Sequence, residues 1–166
     1  MGLADAIDSA EARVMIWKTI LVPHDFSSAA NHAAAVARDE AKTHGAKVVL
    51  VHVIDLPYQI AADQAFVPGE TETLSIKEYA ARGAEKHLDD IAARLAKDGI
   101  TPTKIIRFGR PHEEIVRCAE DQRADLIVMG THGRTGLAHL LVGSVAERVV
   151  RTSKVPVLTV PQPDHS

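Results

Sequence analysis

Five short runs rich in Val and Ile recur along the chain, and consecutive runs are separated by segments with helical patterning. The runs occupy residues 18–23, 47–54, 103–108, 124–130 and 155–160. Several are nearly continuous in apolar residues rather than alternating, which is typical of strands buried on both faces. Strands that alternate with helices form a parallel sheet that helices cover on both sides. The pattern therefore predicts an α/β domain of three layers, doubly wound around a five-stranded parallel sheet.

Helix signals mark the intervening segments, at about 27–44, 73–97, 111–122 and from 144 onwards. In the first segment, Ser27 or Ser28 can act as the N-cap, and Gly45 can end the helix as a left-handed residue. The third opens with Pro111, which suits a first turn because the N–H that proline lacks is not needed there. We expect Cys118, in this third helix, to pack against the sheet rather than to react.

The length of 166 residues suits one domain, which we place at residues 15–162. Residues 1–14 precede the natural start of the first strand, and we expect a flexible extension there. Residues 56–73 are the one long insertion and follow the second run. A loop of this length in a compact domain is usually functional or mobile. It is therefore either a lid over a site at the carboxyl ends of the strands or a flexible excursion.

Charge and composition exclude several classes of partner. The net charge is −3 and aromatic residues make up 4% of the chain, which leaves neither a basic footprint nor a stacking platform for nucleic acid. No apolar run is long enough to cross a bilayer, and the N-terminus lacks the features of a secretory signal. The single cysteine allows no intramolecular disulfide. We expect a cytoplasmic protein that binds neither nucleic acid nor membrane.

The stretch GTHGRTGLAHLLVGS, residues 130–144, follows the fourth run directly. In an open α/β sheet, ligands bind outside the carboxyl ends of the strands. Glycines there bring backbone N–H groups close to an anion, and the following helix adds its own unpaired N–H groups and the positive end of its dipole. The spacing Gly-x2-Gly-x9-Gly-Ser predicts a phosphate site, although Gly130 and Gly133 can also be turn residues and Ser144 can also be an N-cap.

Two rival phosphate-binding motifs do not occur in the chain. A P-loop requires a Gly-Lys pair, and the sequence contains none. A dinucleotide fingerprint requires GxGxxG after the first strand, where this chain has PHDFSSAAN at residues 23–31. A phosphate site would therefore follow the fourth strand, which leaves the ends of the first two strands to hold the rest of the ligand.

The sequence closely resembles the universal stress protein family, from Ile16 to Pro161. The segments that carry the resemblance are ILVPHDFS at 20–27, VVLVHVID at 48–55, GRP at 109–111 and ADLIVMGTHGRTGLAHLLVGSVAERVV at 124–150. The resemblance implies a Rossmann-like fold of the adenine nucleotide alpha hydrolase-like type, with strand order 3-2-1-4-5. It also implies the ATP-binding branch, in which Gly-x2-Gly-x9-Gly-Ser/Thr marks the nucleotide site. His24, just before Asp25, is a departure from the family pattern, because other small or polar residues also occur at this position in the family.

The same resemblance implies which residues contact the nucleotide. Those expected at the adenosine end, the last two of them against the ribose, are Pro23, Asp25, Val53, Met129 and Gly130. Those expected at the phosphates are Gly133, Gly143, Ser144 and Val145. The expected ligand is ATP, or ADP or AMP in its place, and ATP would bring magnesium. The family also implies a homodimer formed through the last strand, Val155 to Val160.

Three of the candidate residues have simpler alternatives. Asp25 can accept hydrogen bonds from ribose hydroxyls or an adenine amine, but it can equally cap the first helix. Val53 would act through its backbone, or it is only a core residue. Arg134, inside the glycine stretch, can meet a phosphate or remain solvated.

No catalytic set emerges from the sequence. The nine histidines are scattered without zinc-ligand spacing, and we expect most of them at the surface. Phosphoryl transfer needs several charge-neutralising groups, for which Arg134 is the one candidate. We predict no catalytic residues and no protein metal site, in a regulatory nucleotide-binding protein of the stress response with at most slow ATP hydrolysis. The alternatives are an ATPase or nucleotidyl-transferring enzyme, and a dimeric interaction module without ligand.

Overall fold

The structure, a computed structural model, describes residues 16–56, 66–68, 73–131 and 143–162. Five parallel strands form its central sheet: β1 (Thr19–Pro23), β2 (Lys47–Ile54), β5 (Thr103–Phe108), β6 (Leu126–Gly130) and β7 (Val157–Val160). Their spatial order is β5-β2-β1-β6-β7. Counted among these five strands alone, that order is 3-2-1-4-5, and the predicted fold class is confirmed. The predicted extension over residues 1–14 lies outside the described residues.

Four helices cover the two faces of the sheet: α1 (Ser28–His44), α2 (Ile76–Ala96), α3 (Pro111–Asp121) and α4 (Ser144–Thr152). Alternate side chains of each strand enter opposite faces. Ile20 and Val22 of β1 pack with α1 and α2, whereas Leu21 between them packs with α3 and α4. Cys118 of α3 is fully buried in the cluster that contains Leu21, so it packs against the sheet as predicted. None of the described helices is long and apolar enough to cross a membrane.

The sequence signals at the ends of α1 are present in the structure. Ser27 is the N-cap, and its side chain accepts a hydrogen bond from the Ala30 N–H at 3.2 Å. Gly45 ends the helix with a φ of 66°, the left-handed conformation that glycine adopts without steric cost. Six alanines form the buried face of the helix: Ala29, Ala30, Ala33, Ala34, Ala37 and Ala41. Because their side chains are small, α1 lies close to the sheet.

The predicted start of the second helix at Thr73 is wrong by three residues. The helix begins at Ile76, because Ser75 and Glu78 form a capping box. The Ser75 side chain accepts from the Glu78 N–H at 3.2 Å, and the Glu78 carboxylate accepts from the Ser75 N–H at 2.9 Å. Residues preceding the helix form β4 (Thr73–Ser75), which pairs antiparallel with β3 (Phe66–Pro68).

The predicted long insertion, residues 56–73, therefore contains a strand, and its end belongs to a two-stranded antiparallel sheet. This small sheet contacts α2. The choice between a lid and a flexible excursion concerns residues 57–65 and 69–72, which lie outside the described residues.

Candidate functional site

A cavity of about 350 Å³ opens at the carboxyl ends of β1, β2 and β6. The sheet grows from β1 in one direction to β2 and β5, and in the other direction through β6 to β7. The cavity thus lies where the strand order reverses, which is the ligand site of open α/β sheets.

Eight of the ten predicted site residues line this one cavity: Pro23, Asp25, Val53, Met129, Gly130, Gly143, Ser144 and Val145. They come from three strand ends and from the start of α4, and they are separated by up to 122 positions in sequence. The other two, Gly133 and Arg134, lie outside the described residues. The nucleotide contacts assigned to all ten remain predictions.

Asp25 shapes the turn between β1 and α1 and does not cap the helix. Its Oδ1 accepts a hydrogen bond from the Ser27 N–H at 3.1 Å, and Ser27 is the N-cap. This side chain to backbone bond across two residues is an Asx turn. The helix-cap alternative is therefore wrong, and the role of Asp25 toward a ligand stays a prediction. Asp25 stabilises the approach to α1 and also lines the cavity.

Gly130, the last residue of β6, allows the first turn of α1 to approach the sheet. A Cβ atom at this position would lie 2.9 Å from the carbonyl carbon of Ala29 and 2.9 Å from its Cβ. Real side chains do not tolerate such contacts with backbone atoms. Because Gly130 and Ala30 both line the cavity, this close approach of α1 to β6 also determines the shape of one wall.

The start of α4 forms another part of the wall. The helix begins at Ser144, as predicted, but Ser144 is not its N-cap, because Gly143 occupies that position. The Gly143 N–H donates to the carbonyl of Thr131, which ties the start of α4 to the residue that follows β6. The first N–H groups of a helix lack intrahelical partners and carry the positive end of the dipole. Gly143, Ser144 and Val145 line the cavity, so this end of α4 is well placed for an anion.

Six further residues, which the sequence did not indicate as site residues, also line the cavity: His24, Ala30, Val51, His52, Pro111 and Ile115. Val51 belongs to β2, while Pro111 and Ile115 belong to α3, and together with Val53 they supply an apolar wall. The sequence places Pro111 in the first turn of a helix. It lies far along the chain from the predicted site residues, so no local spacing indicates its place at the cavity.

His24 departs from the expectation that most histidines lie at the surface, since it is only 3% exposed. Its Nδ1 accepts a hydrogen bond from the Phe26 N–H at 3.0 Å, so the neutral ring carries its proton on Nε2. That Nε2 has no hydrogen-bond partner among the described residues. Burial lowers the pKa of His24 from the ordinary 6.5 to about 4, against the opposing effect of Asp25.

The chemistry of the cavity suits one kind of ligand. It has an apolar wall, a carboxylate at the end of β1, and a helix N-terminus with a hydroxyl group at the end of β6. Such a surface can hold a flat apolar ring, hydroxyl groups and an anionic tail. Within the described ranges, no group of three or more His, Cys, Asp or Glu side chains is arranged to hold a metal ion.

The doubly wound sheet and the crevice at its switch point define an α/β protein with a candidate ligand site at the carboxyl ends of its strands. The family model of the universal stress proteins matches residues 17–161. The chain belongs to the universal stress protein family.

Individual relatives match over most of their length. Universal stress protein MJ0577 of Methanocaldococcus jannaschii is 35% identical over 156 residues, which cover 88% of this chain and 96% of that protein. Its solved structure matches with a TM-score of 0.77 over 90% of this chain and 99% of that chain. A universal stress protein of Thermus aquaticus is 36% identical, over 87% of this chain and 99% of its own length. A universal stress protein solved in complex with cAMP is 25% identical and matches with a TM-score of 0.63, over 90% of this chain and all of that chain.

Proposed function

We propose that this universal stress protein binds an adenine nucleotide, with ATP as the expected ligand, and acts as a cytoplasmic regulator in the stress response. The observation that carries the proposal is that eight residues expected around a nucleotide line one cavity at the switch point of the sheet. The cAMP complex of a structural relative supports the same class of ligand.

Each part of the nucleotide has a chemically matching part of the cavity. The apolar side chains of Val53, Pro111 and Ile115 suit the adenine ring, and the Asp25 carboxylate can accept hydrogen bonds from ribose hydroxyls. The N-terminus of α4 and the Ser144 hydroxyl can receive phosphate oxygens. We propose that magnesium is held by the ATP phosphates rather than by a cluster of protein ligands.

Calorimetric titration with ATP and with adenosine tests this proposal and separates the two ends of the site. In Ser144→Ala we expect ATP to bind about tenfold more weakly, because a hydrogen bond to a charged oxygen is lost, while adenosine binding stays unchanged. In Asp25→Asn we expect both ligands to bind more weakly.

Thr43→Ala is the matched control for the serine variant. Its hydroxyl bonds to the Asp39 carbonyl in the last turn of α1, far along the chain and the helix from the cavity. This variant should bind ATP like the unaltered protein. An unaltered protein that binds neither ATP, ADP nor AMP would contradict the proposal.

We further propose a homodimer formed through β7. Among the described strands, β7 has β6 as its one neighbour, and Leu158 on it is 38% exposed. The Pro156 carbonyl accepts from Ile127 of β6, and the Val160 carbonyl accepts from Thr131, which follows β6. The N–H of Thr159, between these two carbonyls, therefore points to the unpaired edge. Such an edge is a template for pairing with a second copy, which would give an isologous interface.

Thr159→Pro is expected to convert the dimer to a monomer, because proline removes the outward N–H while the bonds to β6 remain. Light scattering at micromolar concentration measures the change, and Thr159→Ala, which keeps the N–H, should remain dimeric. A monomeric unaltered protein, or a dimer that survives the proline, would contradict this interface.

A further inference from the structure

We propose that His24 is a positioning residue for the nucleotide cavity, because its ring and its backbone fix the turn that directs Asp25 to the ligand. The inference rests on the proposed function for the identity of the ligand. Its geometric part, the fixing of the turn by His24, is independent of any ligand.

Residue 24 makes hydrogen bonds through its N–H, its carbonyl and its ring. The His24 N–H donates to the Val51 carbonyl at 2.8 Å, and the His24 carbonyl accepts from Nδ1 of His52 at 2.7 Å. Both partners belong to β2, so the backbone just beyond the end of β1 is tied to the neighbouring strand. The His24 ring reaches forward instead, and its Nδ1 accepts from the Phe26 N–H at 3.0 Å.

Phe26 needs such a restraint because its backbone is strained. Its φ of 68° lies in the left-handed region, which residues with a Cβ seldom adopt. Several contacts support this conformation, among them the hydrogen bond to His24 and the stacking of the Phe26 ring on His52 at a centroid distance of 4.3 Å and an angle of 28°. Asp25 lies between His24, which is hydrogen-bonded to β2, and Phe26, whose backbone is strained. The direction of the Asp25 carboxylate therefore depends on both neighbours.

The hydrogen-bonding pattern of the His24 ring indicates which atom matters. Nδ1 is used by the turn, whereas Nε2 is buried without a partner among the described residues. A buried polar atom without a partner costs folding free energy, and the hydrogen bond that Nδ1 accepts offsets part of this cost. Nδ1, the acceptor for the Phe26 N–H, is therefore the atom through which the ring acts on the turn. An asparagine side chain offers an oxygen at the same position, as in an Asx turn.

The test compares two substitutions that differ in this acceptor. His24→Leu removes it, and we expect ATP and adenosine to bind roughly 3- to 10-fold more weakly, the effect of losing one neutral hydrogen bond. His24→Asn keeps an acceptor at the Nδ1 position, and its affinities should stay within about twofold of the unaltered protein. If the leucine variant does not fold, His24→Gln replaces it, because glutamine places its polar group too far along the side chain to reach Phe26.

His87→Leu is the control for the loss of a histidine beside the same ring. His87 contacts Phe26 at 4.9 Å from an exposed position on α2, and its Nδ1 is hydrogen-bonded within its own helix, to Gly83. This variant should bind both ligands normally. Equal affinities in the leucine and asparagine variants of His24, whether normal or weakened, would overturn the role of the acceptor.

Amide hydrogen exchange separates this inference from the proposed function. The Phe26 amide should be protected in the unaltered protein and in His24→Asn, and it should exchange about 3- to 10-fold faster in His24→Leu. A protein that binds no adenine nucleotide would overturn the proposed function, and with it the ligand of this inference, while the exchange measurement would still decide whether His24 holds the turn. Equal exchange of the Phe26 amide in all three proteins would show that the His24 ring does not hold the turn.

Discussion

Replacement of Gly130 by alanine is expected to lower the free energy of unfolding by roughly 1–3 kcal/mol, the usual range for overpacking a core. The new Cβ would lie 2.9 Å from the carbonyl carbon of Ala29, and backbone atoms at the start of a helix cannot rotate out of the way. To relieve the contact, α1 must move away from β6. Urea denaturation followed by circular dichroism measures the loss.

Gly83→Ala is the matched control for this substitution. Gly83 lies within α2, and a Cβ at its position meets no atom within 4 Å. Alanine is a better helix former than glycine, so this variant should gain roughly 0.5–1 kcal/mol. The two substitutions add the same atom and are expected to change stability in opposite directions. An equal effect of both would mean that the approach of Ala29 to Gly130 has no energetic importance.

The fold was predictable because its determinants are local and repeated. Runs of Val and Ile buried on both faces indicated the five strands, and Ser27 and Gly45 indicated the ends of α1. The signal for the true start of α2 was also present, since Ser75 and Glu78 have the spacing of a capping box. Local pattern did not predict the pairing of β3 with β4, because three-residue strands carry too little periodicity.

The site was predictable to the extent that glycine spacing reports a backbone requirement. Gly130 is needed where α1 meets β6, and Gly143 takes the N-cap position at the cavity. The burial of His24 was not predictable in the same way. It depends on a left-handed Phe26 and on the packing of His52 from another strand, which are tertiary features that no spacing in PHDFSS expresses.

Acid is expected to destabilise the protein through His24 between about pH 6.5 and pH 4. Above pH 6.5 the ring is neutral in both the folded and the unfolded chain, so it contributes no pH dependence. As the pH falls below 6.5 the unfolded chain takes up a proton, but the folded protein does not until about pH 4 because its pKa is lowered to that value. Stability therefore decreases with falling pH, by about 3 kcal/mol over the whole interval.

The environment of His24 explains why its folded form resists protonation. Burial is the largest cause of the lowered pKa, and Arg94 on α2 and His52 on β2 oppose a positive charge further. Asp25 favours the charged form but does not outweigh these effects. Protonation of Nδ1 would also replace the acceptor of the Phe26 N–H by a second donor, so the left-handed turn would lose its hydrogen bond.

Comparison with His24→Asn isolates this contribution from the other eight histidines of the chain. The free energy of unfolding is measured by urea denaturation at several pH values from 8 to 4 for both proteins. Asparagine does not titrate, so its curve should fall less steeply between pH 6.5 and pH 4, and the difference between the curves should grow by about 3 kcal/mol across that interval. Two parallel curves would show that His24 takes up its proton equally in the folded and unfolded states, which is incompatible with a ring buried against Phe26 as a hydrogen-bond acceptor.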